Sequence, residues 1–557
     1  MDLFRLYLKF SNNRNINFFV YLVFITFFII STQIFKDYGF SIDEPFHRAS
    51  GYYWYLWILD QISTNVDKIQ AITEKFKEIA WSSAFASGEF LDYGATFDLF
   101  AVFIEENFNL SETNQAYYLK RSLAFSLFFI SSIFFYLIIL SRFKNIIFSI
   151  IILIFYLTYP RIFAHSFYNV QDLVFMSLCV ISIYFCLKSF DNFSFKNIIL
   201  LSIFAALATQ ERIVGILLYF LFIAFYLTQS LEEKKFFKKN LVGLSLFILS
   251  YPIFVYIFGP YLWESPVEGI LNSLKTFSGF GWNNYVFYLG DYIKATNLPW
   301  HYIPVWIFVT MPIFYLIFFI SGLIKITYDF IKNILSLDEG PDKKIWLSIN
   351  QKKDFFIFSF FITPIFLVIL LNSTLYKGWR HLYFVYPTLI YILALGINFV
   401  LNIKIKKLYK NFIIYFIVIS IFVNLSNLIK LHPYQNVYFN FLVEKKANKL
   451  FEIDYWGLGN LEAIKFILDK EKKESLIRIR TASFTPLSYS KNLLSKNEIK
   501  KIKFEGTANF NQKYIFTNYI YDKNPKYEKK YKISNNYKKI YTLRRGNIIV
   551  NEIFQKN

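Results

Sequence analysis

The sequence predicts a mainly α-helical protein that crosses a membrane many times and ends in a small α/β domain outside it. Of the 557 residues, 55% are hydrophobic and 22% are aromatic, and the Phe-rich apolar runs are too long for soluble helices. After about His432, Lys and Asn become frequent and the apolar runs shorten to the length of strands. Between the runs 540–543 and 548–553, Gly546 and Asn547 predict the reversal of a hairpin. We therefore expect a transmembrane domain over residues 1–431 and an extracytoplasmic α/β domain over residues 432–557.

Eleven apolar runs of about 15 to 23 residues have the length of membrane-spanning helices. They lie near residues 17–35, 122–141, 145–160, 173–187, 197–210, 213–230, 241–259, 302–324, 355–371, 382–401 and 411–430. The first run follows basic residues, as in a signal peptide, but it is too long for one and no small-residue cleavage site follows it. We therefore expect it to remain in the protein as a span.

Basic residues concentrate in alternate loops between these runs, for example around Arg142, Lys238 and Lys404. Because basic loops favour the cytoplasmic side, the pattern predicts a cytoplasmic N-terminus and an external C-terminus. The formal charge of +21 is explained by the same loops, so we expect no nucleic-acid partner.

The loops predicted to be external hold the polar residues that are candidates for chemistry. The longest, residues 36–121, contains Asp43 and Glu44, followed by an aromatic and then an amphipathic stretch that we expect to form helices along the membrane surface. A second segment, 260–301, is expected to form a lid on the same side. The other candidates lie at or near span ends: His47, Arg161, His165, Asn169, Asp172, Glu211, Arg212, Trp300, His301, Lys377, Arg380, His381 and His432. Arginines on this side run against the usual cytoplasmic bias of basic residues.

Asp43 has two interpretations that can both hold. It can cap the surface helix, with Glu44 and Pro45 in the first turn, where a carboxylate and a proline are favoured. Ser41 and Glu44 also have the spacing of a capping box. In the functional interpretation, an Asp at the lip of a dry cavity takes a proton from an acceptor hydroxyl or amine.

Two further groups carry structural alternatives as well. His165, Asn169 and Asp172 share one face if their short loop is helical, although Asp172 is equally suited to begin the next helix. Glu211 and Arg212, between two apolar runs, form either a self-satisfied ion pair or part of a pathway, because ionisable residues at membrane depth are costly.

The stretch around Arg380 and His381, with Lys377 close by, begins the tenth span. These side chains can extend to lipid headgroups, or the guanidinium can bind a phosphate or pyrophosphate group bidentately; we favour phosphate binding. Trp300 and His301 are more typical of an aromatic belt than of a site.

In order along the chain, these motifs resemble those of a known family. They are the Asp43-Glu44 pair, Asp92-Tyr93-Gly94, the stretch from Arg161 to Asp172, Leu298-Pro299-Trp300-His301-Tyr302-Ile303-Pro304, Gly378-Trp379-Arg380-His381, His432-Pro433-Tyr434-Gln435 and Asp454-Tyr455-Trp456-Gly457. The set resembles bacterial membrane glycosyltransferases of the family 39 type, which are similar to dolichyl-phosphate-mannose protein mannosyltransferases and to the lipid A aminoarabinose transferase. The likeness extends through about residue 465, and the last 90 or so residues match no family.

The resemblance implies a C-type glycosyltransferase fold in the bacterial inner membrane and a polyprenyl-phosphate sugar donor. The acceptor would be a lipid, glycan or protein on the periplasmic side, and transfer would invert the anomeric carbon. Asp43 would be the general base, with Glu44 as its catalytic neighbour. Arg380, His381, Arg212 and Lys377 would bind the donor phosphate, and His165, Asn169, Asp172, Glu211, His301 and His432 would line the substrate cavity. Family members often carry a Lys where this chain has Val170-Gln171-Asp172, which removes one expected donor contact.

Two other classes of function compete with this one: a transporter or flippase for lipid-linked glycans, and a non-catalytic subunit of an envelope assembly. A transporter should place ionisable residues at mid-membrane or show repeated halves. In this chain they crowd one interface and no repeat is visible. A divalent ion is compatible with the donor phosphate, but no ligand spacing in the sequence supports one.

Overall fold

A computed structural model describes residues 17–81, 94–108, 110, 112–232, 237–278, 282–336, 345–472, 476–505 and 512–557. The basic residues before the first span, and Asp92 and Tyr93 of the second motif, lie outside these ranges. In the described residues, the predicted mainly α-helical architecture and the small C-terminal α/β region are confirmed.

The first half of the described chain is helical. Its helices are α1 (Asn17–Ile34), α2 (Glu44–Ile62), α3 (Val66–Trp81), α4 (Ala95–Asn107), α5 (Thr113–Phe143), α6 (Ile146–Thr158), α7 (Pro160–His165), α8 (Asp172–Asp191), α9 (Phe195–Glu211), α10 (Ile216–Glu232), α11 (Phe237–Phe258) and α12 (Pro266–Ser278). A short hairpin, β1 (Tyr285–Tyr288) and β2 (Asp291–Lys294), follows.

The second half adds the remaining spans and the α/β domain. Its helices are α13 (Tyr302–Thr310), α14 (Ile313–Ser336), α15 (Ile349–Leu370), α16 (Tyr386–Asn402), α17 (Lys407–Leu431), α18 (Ala447–Leu450), α19 (Asn460–Lys470), α20 (Lys496–Lys500) and α21 (Glu528–Tyr531). Its strands are β3 (Ile477–Thr481), β4 (Ile502–Glu505), β5 (Tyr514–Thr517), β6 (Tyr537–Arg545) and β7 (Ile548–Lys556). A 3₁₀ turn, Arg380–Val385, leads into α16.

Each predicted span contains a helix in the described part of the chain. Seven helices, among them α5, α8, α11, α14, α15 and α17, are long and apolar enough to cross a membrane, and three shorter ones are also apolar. The predicted span 302–324 is wrong as a single helix, because it breaks between α13 and α14 at Met311 and Pro312. Met311 is extended, with φ −85° and ψ 142°, since a residue before proline is disfavoured in the helical region.

Two helices form the centre of the bundle. In α8 and in the segment Arg380–Asn402, 89% and 83% of the most apolar stretch is buried, against 28% for α11 and 22% for α17. Helices that are apolar on all sides and buried by protein belong to the interior. Asp172 and Arg380 are the first residues of the two innermost segments, so the bundle centre positions both of them.

The first loop predicted to be external has its own small core. Helices α2, α3 and α4 share a cluster of buried residues that includes Tyr52, Ile72 and Val102. A side chain at Gly51 would place its Cβ 2.3 Å from the carbonyl oxygen of Asp98, so glycine allows α2 and α4 to approach closely. The two predicted surface helices of this loop are confirmed as helices.

The C-terminal region contains a five-stranded sheet in the order β4-β3-β5-β7-β6. Strand β3 pairs in parallel with β4 and β5, whereas β7 is antiparallel to β5 and β6. The predicted reversal at Gly546 and Asn547 is confirmed as the turn between β6 and β7, with Gly546 at φ +56°, a conformation that glycine adopts without strain.

Candidate active site

Asp43 lies at the N-terminus of α2 and forms a charged pair with the residues before α16. Arg380 donates from Nη1 to its Oδ2 at 2.8 Å, and the Nζ of Lys377 lies 3.6 Å from its Oδ1. The carboxylate makes no capping hydrogen bond to α2, so the capping interpretation is wrong for this side chain. Arg380 and Lys377, which follow Asp43 in the chain by 337 and 334 positions, therefore meet at its carboxylate.

The environment of Asp43 controls its charge. Burial alone would raise the pKa of Asp43, but the charges of Lys377, Arg380 and His47 outweigh burial and hold the pKa below its usual value. About 25% of the Asp43 side chain remains exposed. The result is a carboxylate that stays ionised and is still accessible to solvent.

Glu44, the next residue, has a different environment. Arg121 of α5 donates from Nε to Oε1 at 2.6 Å and from Nη2 to Oε2 at 2.7 Å, and the N–H of Ser41 donates to Oε2 at 2.8 Å. Both carboxylate oxygens are occupied and only 1% of the residue is exposed. This geometry favours a positioning role over the catalytic role implied by the resemblance, because Glu44 fixes the start of α2 against α5.

Asp172 connects the Asp43 pair to the rest of the predicted cavity. It pairs with Arg212, lies 3.6 Å from the Nη1 of Arg380, and accepts a hydrogen bond from the Nδ2 of Asn169 at 2.9 Å. The same Nδ2 is 3.1 Å from the Nδ1 of His165. The structure thus brings these predicted residues together, although the loop between α7 and α8 is not a continuous helix.

The buried Oε1 of Glu211 has no hydrogen-bond partner within the described residues. Arg212 donates instead to Gln171 at 3.3 Å and to Asp172, so the self-satisfied Glu211–Arg212 pair is not what the structure shows. Gly94, at φ +72°, lies against this point: a Cβ there would be 3.2 Å from Gln171 and 3.3 Å from Glu211.

A second charged group, of which only His47 was predicted from the sequence, lies next to Asp43. His47 Nδ1 is 3.0 Å from Oδ2 of Asp98, and Lys120 donates from Nζ to the Oδ1 of Asp98 at 2.5 Å. His47 and Asp43 line the same small cavity. Asp98 stands alone in an apolar stretch, and the signal available was Lys120 and Arg121 at the end of α5 predicted to be external, against the usual charge bias.

An apolar groove begins at Arg212, the partner of Asp172. Its walls come from α12, from α15 and from the segment between α15 and α16, and include Pro364, Leu367 and Val368. Arg212 and His381 stand in the same wall. The groove therefore presents an apolar channel with basic or polar groups at one point.

The predicted lid contributes an aromatic contact next to the cations. Trp282 stacks on Tyr376, with ring centroids 4.4 Å apart. Tyr376 in turn lies edge-on to His381 at 4.6 Å and 5.1 Å from the guanidinium of Arg380. Movement of the lid would thus be felt at the residues predicted to bind phosphate.

Two predicted cavity residues have their polar contacts elsewhere. His301 Nδ1 is 2.7 Å from the hydroxyl of Tyr288, and His432 Nε2 is 2.8 Å from Asp37. Neither shares a hydrogen bond with the Asp43 group in the described residues, so the prediction of a single chamber is too broad for these two histidines. Within the same ranges, no group of three or more His, Cys, Asp or Glu is arranged to hold a metal ion.

Fold and site together define a class: a polytopic membrane protein with an accessible ionised carboxylate, clustered cations and an adjoining apolar groove. No family model matches the chain, and no curated protein matches it. Among solved structures it is similar to the crystal structure of ArnT from Cupriavidus metallidurans bound to undecaprenyl phosphate, at 10% sequence identity and a TM-score of 0.42. The match covers 97% of this chain and 98% of that one. At this identity and TM-score, the likeness assigns no residue a role.

Proposed function

We propose that this protein is a membrane glycosyltransferase that transfers a sugar from a polyprenyl phosphate to an acceptor on the external face. The observation that supports it best is the pairing of Asp43 with Arg380 and Lys377. A transfer of this kind needs a base for the acceptor proton and cations for the departing phosphate. In this site the base, Asp43, lies 2.8 Å from Arg380 and 3.6 Å from Lys377.

The apolar groove suits the donor. A polyprenyl phosphate is a long apolar chain with an anionic head, and the groove has apolar walls with Arg212 and His381 beside them. Arg212 and Arg380 are joined through their shared neighbour Asp172. Guanidinium groups bind phosphate oxygens strongly and directionally, so the head would lie between the groove and Asp43.

In the proposed reaction, an acceptor hydroxyl or amine gives its proton to Asp43 while the acceptor oxygen or nitrogen attacks the anomeric carbon of the donor sugar. The bond from that carbon to the phosphate oxygen breaks on the opposite face, which inverts the configuration. The electron pair leaves with the polyprenyl phosphate. Arg380, Arg212 and His381 stabilise the charge that develops there.

The shared cations make the strength of the base depend on the donor. Lys377 and Arg380 hold the pKa of Asp43 low. A bound phosphate would compete for the same cations, so the pKa of Asp43 would rise and Asp43 would become a better proton acceptor. Transfer would therefore be favoured only once the donor is in place.

The first test is Asp43→Asn, with Asp60→Asn as the matched control because Asp60 is exposed in the last turn of the same helix. Transfer should fall by about 10²–10⁴-fold in the first variant, the range of a lost general base, and stay at wild-type level in the second. Mass spectrometry of envelope glycolipids and glycoproteins from cells that express each variant measures the product, and extraction from membranes checks insertion.

A transporter, flippase or assembly subunit has no use for the basicity of Asp43. If Asp43→Asn is inserted normally and the envelope glycans are unchanged, the proposed function is wrong.

A further inference from the structure

A second cleft lies between the lid hairpin and the C-terminal domain. It is formed by β1 and β2, by residues 448–453, and by the loop 518–523 that follows β5. Its cavity volume is about 220 Å³, below the roughly 300–1,000 Å³ of sites for drug-sized ligands, so it would enclose only a small part of a ligand. The proposed mechanism uses none of the residues that line it.

The lining combines aromatic faces with carboxylates. Phe287 and Tyr292 come from the hairpin, with ring centroids 4.9 Å apart, and Tyr521 lies edge-on to Tyr292 at 6.1 Å. Glu452 and Asp522 also line the cleft. Aromatic faces pack against the C–H faces of a sugar ring, and carboxylate oxygens accept hydrogen bonds from hydroxyl groups.

The charges of the lining favour a neutral ligand. Glu452 and Asp522 are balanced by Lys449 and Lys523. Burial raises the pKa of Glu452 to about 7, against the opposing effects of the Phe287 N–H and the charge of Lys377. Near neutral pH this group therefore both donates and accepts hydrogen bonds, as a polyhydroxylated ligand requires.

The loop after β5 holds two tyrosines in an unusual conformation. Tyr519 and Tyr521 have φ angles of +63° and +67°, a region that bulky residues rarely adopt. The hydroxyl of Tyr521 donates to the carbonyl of Tyr285 in the hairpin at 2.5 Å. Strain of this kind persists where the surrounding structure fixes it and is frequent in binding sites.

The cleft is connected to the Asp43 site by one short segment. Glu452 lines the cleft, and Trp456 lies 4.9 Å from the guanidinium of Arg380 and 5.8 Å from the ammonium of Lys377. Four residue steps in an extended chain cover at most roughly 14 Å. A ligand of a few sugar units in the cleft could therefore place one hydroxyl near Asp43.

We propose that this cleft binds the acceptor, and that the acceptor is a glycan. The transfer of a sugar to the bound glycan rests on the proposed function, whereas the binding itself does not. The lid hairpin and the C-terminal domain then form a recognition site for saccharide, separate from the donor groove.

Binding is measured without donor, on the full-length protein in lipid nanodiscs, because maltoside detergents would compete. The probes are chito-, manno- and galacto-oligosaccharides of two to four units, followed by saturation-transfer NMR and titration. At least one series should bind, and Tyr292→Ala should weaken its affinity about tenfold, the loss expected for one aromatic contact. Asp522→Asn, which keeps the size of the side chain, should weaken the same series, and Trp300→Ala, an aromatic residue with 69% exposure outside the cleft, should not.

If no series binds wild-type protein, the inference is overturned. It is also overturned if wild type, Tyr292→Ala and Asp522→Asn bind equally. Binding of an acceptor peptide in place of sugar would also overturn it. In a transfer assay, Tyr292→Ala should raise the acceptor KM and leave the donor KM unchanged. If Asp43→Asn retains full transfer while sugar binding still depends on Tyr292, the proposed mechanism fails and the cleft assignment stands.

Discussion

The two ends of the helical bundle both hold buried ion pairs, but they satisfy their carboxylates to different degrees. Helix α5 reaches both ends, since Arg121 and Arg142 are twenty-one residues apart, or about 32 Å at 1.5 Å per residue. At the far end, Arg142 gives two hydrogen bonds of 2.7 Å to Asp354, and Tyr391 adds a third at 2.6 Å. At the near end, Asp43 receives one hydrogen bond, from Arg380, among the described residues.

This difference separates a structural ion pair from the proposed reactive one. A carboxylate can accept about four hydrogen bonds, so Asp43 keeps capacity for a ligand that Asp354 has largely used. Asp43 is also more exposed, with 25% of its side chain accessible against 11% for Asp354. The same chemical groups can thus join helices at one end and be ready for substrate at the other.

The largest expected effect comes from exchanging Asp for Asn at each end. Asp43→Asn should lower transfer about 10³-fold and change the free energy of unfolding less than Asp354→Asn does, because Arg380 keeps Asp172 as a neighbour. Asp354→Asn should do the reverse: it breaks a mostly buried pair, so stability should fall by about 3 kcal/mol while the folded fraction keeps its activity. Thermal unfolding in nanodiscs and transfer per folded molecule measure both quantities. Equal loss of activity in the two variants would contradict the distinction between the ends.

The adjacent carboxylates provide a sharper version of the comparison. Glu44→Gln removes a charge that binds Arg121 through both oxygens in a buried site, so we expect a loss of about 3–5 kcal/mol in the free energy of unfolding. The folded fraction should lose much less activity than Asp43→Asn does. Glu112→Gln is the control, because Glu112 pairs with Lys496 at the surface and should change stability by less than about 1 kcal/mol. An unchanged thermal midpoint for Glu44→Gln would contradict the positioning role of Glu44.

A smaller effect is expected from Lys377→Gln. The folded pKa of Asp43 lies below its usual value, so wild-type Asp43 loses its charge, and transfer its base, only as the pH falls through that lowered pKa. Loss of the Lys377 charge should raise this pKa and move the acid limb of the kcat/KM profile to higher pH. The donor KM should also rise about tenfold, as one cation contact to the phosphate is lost. A pH profile with an unmoved acid limb would show that Lys377 does not act on Asp43.

Much of the fold follows from local patterns in the sequence. Apolar runs of membrane length identified the spans, and Gly546 beside Asn547 identified a hairpin, because both signals depend only on neighbouring residues. The break before Pro312 was also predictable from the sequence, since proline cannot continue a helix. It was missed because the apolar run continues across it.

The site was predictable only in part. The location of Arg380, Lys377 and Asp43 on one face followed from topology, but their pairing did not, because it depends on how distant helices dock. The same reason explains why Glu44 was expected to share the role of Asp43: nothing local distinguishes the two carboxylates. Asp98 gave no signal until α4 had been packed against α2.

The contact between Glu44 and Arg121 also fixes the height of Asp43 along α5. Arg121 belongs to a helix long and apolar enough to cross a membrane and also donates to the carbonyls of Tyr38 and Gly39, so the chain just before Asp43 is tied to that helix at a set height. In the proposed function, a lipid whose tail occupies the bilayer presents its headgroup at a height of its own. The proposed enzyme would then select a substrate by the length between tail and reactive carbon, before any sugar is recognised.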